Sequence, residues 1–116
     1  MHDNLRAVIA NVVARISGHS TNSAVYDHTQ AKHIHVSGSV SQTSVHVYDH
    51  DRGAHVSGSH SQLYDHGKGA HISLQLRGAQ FNGYDHGTGH HYSGNIRSRS
   101  VTIYDHQTGQ HHHYQV

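Results

Sequence analysis

The chain has no cysteine, so it carries neither a disulfide framework nor a thiolate metal site. It has no proline, which leaves every backbone N–H available for sheet pairing. Apolar residues are scarce, at 33% of 116, against about 45–50% in an ordinary globular chain on a count that includes glycine. A solid core in a single copy is therefore not expected. The seven tyrosines must supply much of the buried area, or the repeats must stack on one another or on other copies.

No stretch approaches the ~20 apolar residues needed to span a bilayer, and Met1-His2-Asp3-Asn4 lacks the basic head and cleavage site of a secretory signal. The expectation is a cytoplasmic protein with no membrane partner, with non-classical release left open. The formal charge is +1, and each of the 18 histidines adds one positive charge on protonation, up to +19. Imidazole ordinarily titrates near pH ~6.5, so charge is the most pH-sensitive property of the chain.

One phrase recurs: Tyr-Asp-His, four residues, then His. It appears as Tyr26-Asp27-His28 with His33, Tyr48-Asp49-His50 with His55, Tyr64-Asp65-His66 with His71, Tyr84-Asp85-His86 with His91, and Tyr104-Asp105-His106 with His111. Successive starts lie 22, 16, 20 and 20 residues apart. A self-similar unit of this length marks a repeat architecture. Regular alternation and the missing proline argue against disorder.

Residues 1–22 stand outside the repeats. Leu5, Val8, Ile9, Val12, Val13 and Ile16 fall on one stripe of an α-helix. The spacing predicts a helix from about Asn4 to Ser17, capped by Asp3 and stopped at a left-handed Gly18, with Arg6 and Arg15 off the stripe. So short a helix needs cover. The readings are packing on one face of its own sheet, contact with another copy, or, least favoured with only two arginines, an interfacial membrane anchor.

Residues 23–116 read as five β-hairpins forming one domain. Four of the five loops carry glycine two residues before the second histidine: Gly53, Gly69, Gly89 and Gly109. A type I turn closed by a left-handed glycine bulge wants glycine there. In the bulge register Asp49 lies opposite His55 and Tyr48 opposite Val56, giving five cross-strand Asp–His pairs and tyrosines over Ile34, Val56, Ile72, Tyr92 and His112. An even loop pairing His50 with His55 instead separates the faces, aliphatics on one and Tyr with His on the other. The bulge register is favoured and the even loop stays open. Ser37-Gly38-Ser39, Ser57-Gly58-Ser59 and Ser93-Gly94-Asn95 read as flexible returns between hairpins. The fold class is all-β: a meander sheet, solenoid or barrel of five hairpins behind one amphipathic helix.

Tyr-Asp followed closely by Gly at about 20-residue intervals resembles the YD repeats of RHS toxin shells. That resemblance implies hairpins winding into a hollow β-structure. The departures are a Tyr-to-Gly spacing longer by one residue, as in Tyr48–Gly53, and a missing arginine. Choline-binding hairpin repeats have a similar period but use tryptophan, which is absent here.

The recurring residues read first as structural rows that align neighbouring hairpins, each cross-strand pair contributing roughly 0.2–1 kcal/mol. On that reading the protein is non-catalytic and self-associating, a homo-oligomer or filament subunit with open hairpin edges. Pairing by Asp and dissociation as unpaired histidines charge, between about pH 5 and 6.5, go with it. The alternative is a transition-metal protein holding Zn, Ni or Cu at His28/His33, His50/His55, His66/His71, His86/His91 and His106/His111 with the aspartates. No cofactor is required on the first reading. Five near-equal copies argue against an active site. Nucleic acid is not expected: Arg52, Lys68, Arg77, Arg97 and Arg99 are candidate contacts, but eight basic against seven acidic side chains make a poor footprint. Carbohydrate stacking on the tyrosine row is a lesser reading.

Overall fold

The computed structural model describes all residues, Met1–Val116. Helix α1 (Asp3–Ile16) is followed by ten antiparallel strands: β1 (Ala24–Asp27), β2 (Lys32–Val40), β3 (Val45–Asp49), β4 (Ala54–Gly58), β5 (Gln62–Asp65), β6 (Ala70–Arg77), β7 (Gln80–Asp85), β8 (His90–Arg97), β9 (Ser100–Asp105) and β10 (Gln110–Gln115). Each strand pairs with its neighbours in sequence, and β10 returns to β1 through Tyr26 opposite Gln115 and Asp27 opposite Tyr114. The sheet is a closed barrel. All five Tyr-Asp-His loops therefore lie at one end, called here the loop end, and the shorter return turns lie at the other.

The helix occupies the lumen. Every residue from Asn4 to Ala14 is buried, including Ala7, Ala10, Asn11 and Ala14 on the side away from the apolar stripe. A helix is about 10–12 Å across with side chains, and 14 residues span about 21 Å, close to the length of a six-residue strand. Ten strands enclose more space than their own side chains fill, and the helix takes up the remainder. The expected packing against one sheet face, or against another copy, is corrected: the barrel surrounds the helix. The helix start is also corrected. His2 is the cap, its Nδ1 accepting the Asn4 N–H at 3.1 Å, and Asp3 turns to Arg6 instead. Gly18 does close the helix with φ +79°.

The hairpin register is neither of the two expected. Asp49 pairs with Ala54, Tyr48 with His55 and Val47 with Val56, and the other four hairpins repeat this. The loop is four residues, His50–Gly53, with Gly53 N–H donating to Asp49 O at 2.8 Å and Gly53 at φ +69°. An even loop keeps the face segregation: aliphatics inward, Tyr and His outward. It rules out the Asp–His pairs, because aspartate and histidine then stand on opposite faces. Ser37-Gly38-Ser39 and Ser93-Gly94-Asn95 are not flexible returns but paired strand, with Ser37 opposite Tyr48 and Ser93 opposite Tyr104, and Ser57 and Gly58 are paired likewise while Ser59 lies in the turn.

The first loop has Ala31 where the others have glycine, and Ala31 adopts φ 54°. A side chain in the left-handed region costs about 1 kcal/mol. Ala31→Gly is expected to raise the unfolding free energy by about that amount and the melting temperature by about 4 °C. Thermal denaturation checks it, and an unchanged or lower melting point would contradict the strain argument.

Alternate inward residues supply a contiguous apolar cluster of 25 residues drawn from helix and strands. The low apolar fraction misled here: few residues are apolar, but most of them are buried. Of the tyrosines only Tyr92 and Tyr114 are buried; the five of the repeat are half-buried on the outside. In four hairpins the central inward pair has an aliphatic residue before the tyrosine, as in Val47 or Leu63. In the fourth hairpin that residue is Gly83, and its partner is the larger Tyr92. A Cβ on Gly83 would lie 2.5 Å from the Tyr92 hydroxyl, so the pair exchanges bulk across the ladder.

Candidate functional site

Residue parity decides what each member of the repeat does. Asp27, Asp49, Asp65, Asp85 and Asp105 end their strands facing inward and are buried. Each carboxylate accepts the N–H of the residue two further on, from Thr29, Asp51, Gly67, Gly87 and Gln107, at 2.9–3.1 Å. This is the local side-chain-to-backbone bond that favours aspartate at turns. The invariant acid therefore closes the loop and does not face the histidine.

Five carboxylates ringing one barrel mouth need opposite charge. Arg52 bonds Asp65 with two nitrogens, at 2.8 and 2.7 Å. Arg6, fully buried on the helix, donates to Asp105 at 2.9 Å, to Tyr114 Oη at 3.1 Å and to the Met1 carbonyl at 2.9 Å. The Met1 amine lies 3.1 Å from Asp105. The positive end of the α1 dipole also faces the ring. Burial pulls the Asp105 carboxyl up, but the Gln107 N–H, the amine and Arg6 outweigh it and hold it below the usual range. Burial pushes the Tyr114 hydroxyl well above its ordinary value. Sequence reasoning set Arg6 aside as a polar-face residue. Its signal was the run of small residues opposite the apolar stripe, which marks a helix covered on all sides.

On the outer face Tyr and His form a girdle near the loop end. Each repeat tyrosine ring sits between two imidazoles, one from the loop that follows its strand and one across the ladder. Tyr26 is flanked by His28 and His33, both at 4.9 Å between ring centres, and Tyr48 by His50 at 4.8 Å and His55 at 4.6 Å. The same contacts surround Tyr64, Tyr84 and Tyr104 at 4.7–4.9 Å. The expected metal pairs are therefore not joined directly: a tyrosine ring separates His28 from His33, His50 from His55, and so on around the barrel.

Histidines do meet at the seams between hairpins, which the sequence did not indicate. The N–H groups of His28, His50, His66, His86 and His106 donate to the carbonyls of His113, His35, His55, His71 and His91. At one seam the rings of His35 and His50 are 4.7 Å apart, with Ser37 Oγ 2.6 Å from His50 Nε2. At another, His91 and His106 are 6.4 Å apart. No group of three or more His or Asp side chains is arranged to hold a metal ion.

His112 is the exception among histidines. It faces inward at 3% exposure, between Thr29 Oγ1 at 2.8 Å from Nδ1 and Thr108 Oγ1 at 2.9 Å from Nε2. Burial, then the nearby Arg6, lowers its pKa. A histidine depressed in the folded state binds its proton more readily when unfolded, so it costs stability as pH falls below the unfolded value of ~6.5. We expect melting temperature to fall between about pH 6.5 and 5, and His112→Leu to flatten that slope. An equal slope in the variant would contradict this. The Asp–His pairs expected to survive mild acid do not form.

No helix is long and apolar enough to cross a membrane. The outer face exposes no large hydrophobic side chain, the reverse of the outward apolar band of a membrane barrel. No protein-family model matches the chain, and neither does any curated protein or solved structure.

Proposed function

We propose that the chain is a non-catalytic structural module that works through its outer surface, and that this surface binds divalent transition-metal ions at the seams between hairpins. The carrying observation is the His35–His50 pair: two exposed imidazoles on different hairpins, with ring centres 4.7 Å apart. Imidazole suits Zn, Ni and Cu. A second imidazole held beside the first makes its binding intramolecular and raises affinity by roughly 10²–10⁴ over a lone histidine. Two protein ligands leave positions for water or for a histidine of a second copy, so self-association is proposed to depend on the ion. The grounds for association without metal, open hairpin edges and an uncovered helix stripe, are absent from a closed barrel with the helix inside. Five near-equal repeats and a lumen filled by a helix favour a non-catalytic role.

The test is Cu(II) added at half an equivalent to chelator-treated, untagged protein. The expected electron paramagnetic resonance spectrum has coupling to two imidazole nitrogens, and the His35→Asn/His50→Asn double variant loses the tightest-bound fraction. A one-nitrogen spectrum, or an unchanged first binding step in the variant, would reject the reading.

A further inference from the structure

The outer faces of β6–β10 form an open trough of about 470 Å³ at some remove from the seam at His35 and His50. Gln75 and Asn82, Gln80 and Asn95, and Ser93 and the half-buried Tyr104 stand opposite one another on neighbouring strands and line it. The four amides are exposed and have no partner within the chain, so each presents both donors and an acceptor outward.

Charge is sorted along the barrel axis. All seven acidic residues, Asp3, Asp27, Asp49, Asp51, Asp65, Asp85 and Asp105, are at the loop end. Arg77, which borders the trough, and Arg97 and Arg99 at the next return turn are exposed at the opposite end, and no acidic side chain faces them. Arg97 ends β8, and Arg99 lies in the turn before β9. Arg52 and Lys68, grouped with them on the sequence, lie at the loop end, and Arg52 is engaged by Asp65.

We propose that this trough binds an acidic oligosaccharide, the amides, Ser93 and the Tyr104 hydroxyl taking sugar hydroxyls, and Arg77 taking a carboxylate. Uncharged amides and hydroxyls match the dense donor–acceptor pattern of a sugar. A guanidinium matches a carboxylate through two parallel bonds. A single-stranded nucleic acid would use successive aromatic platforms along a basic groove, and the trough has one tyrosine, already flanked by His106 and His111.

The experiment titrates the full chain with three hexamers, of galacturonate, of maltose-type glucose and of thymidylate, followed by amide chemical shifts and calorimetry. The galacturonate hexamer is expected to saturate below about 1 mM with shifts confined to β6–β10, and glucose to bind more weakly. Ser93→Trp, which fills the trough on a strand position that accepts aromatics, is expected to weaken galacturonate binding by about tenfold or more. Arg77→Gln is expected to bring galacturonate down to the level of glucose. An Asn82→Ala/Asn95→Ala variant gives the same reading should the tryptophan disturb folding. No saturable galacturonate binding, tighter binding of thymidylate, or indifference to both trough variants would each overturn the proposal.

Discussion

Arg6→Leu is expected to lower the unfolding free energy by about 3–5 kcal/mol, the cost of leaving a buried charge without its partner. At this chain length that corresponds to a melting temperature lower by about 12–20 °C. Arg6 has no exposed surface, and its guanidinium joins Asp105, Tyr114 and the Met1 carbonyl in one hydrogen-bonded cluster. Leucine fills part of the volume but leaves the buried Asp105 carboxylate with only the Met1 amine and the Gln107 N–H. The double variant Arg6→Leu/Asp105→Asn should recover a large part of the loss, because both charges then leave together. The pH dependence follows with a definite sign. Asp105 is held below the usual carboxylate range, so its contribution is present above its unfolded pKa and disappears as pH falls through the folded one. The penalty of Arg6→Leu should therefore shrink towards pH 3. Urea unfolding at pH 7 and pH 3 measures both effects, and an equal penalty at the two values would contradict the ion-pair account.

Ala7→Lys carries the second large effect. Ala7 lies on the side of the helix away from Leu5, Val8, Ile9, Val12, Val13 and Ile16, where an amphipathic helix lying on a sheet would meet solvent. Its exposure is 0%. A lysine there must bury its ammonium unpaired or displace the helix, and either costs several kcal/mol. Domains of this size are stable by only about 5–15 kcal/mol, so the variant should be largely unfolded or molten at room temperature. Ala7→Ser, which adds one hydroxyl and little volume, should fold with a modest loss. Near-ultraviolet circular dichroism distinguishes the outcomes, and a well-folded Ala7→Lys protein would place the helix elsewhere.

Much of the architecture was legible. The strict phrase of Tyr-Asp-His and His, with glycine between, announced five hairpins, and the stripe from Leu5 to Ile16 announced the helix. The left-handed residues came out at Gly18 and at the loop glycines. The register did not, because the turn type was inferred from one glycine. In a four-residue loop the same glycine sits in the same left-handed conformation while every partner shifts by one, and with them the face on which Asp49 stands. The face separation that an even loop implies was the better guide, since burial of one face specifies register more strongly than one turn residue does.

Closure of the sheet was hidden for a different reason. The apolar fraction was judged as an average, whereas in a closed barrel only alternate strand residues need be apolar. Val25, Val47, Leu63 and Ile103 fill those inward places. Of the candidate site residues, the repeat tyrosines and histidines do come together on one outer surface, but in an order no sequence spacing could give. Neighbours across a seam, such as His35 and His50, are set by the stagger between hairpins. The polar trough lay equally out of reach, since Gln75, Asn82, Asn95 and Tyr104 belong to four different strands.

The helix within the lumen is the point on which the rest turns, and the absence of native cysteine makes it directly measurable. Ala7→Cys and Ala14→Cys each place a single thiol on the side of the helix opposite its apolar stripe. With a thiol-reactive dye under native conditions, both are predicted to stay unlabelled for as long as the protein stays folded and to react at once in denaturant. Labelling of either at the rate of a free thiol in the native state would contradict the account.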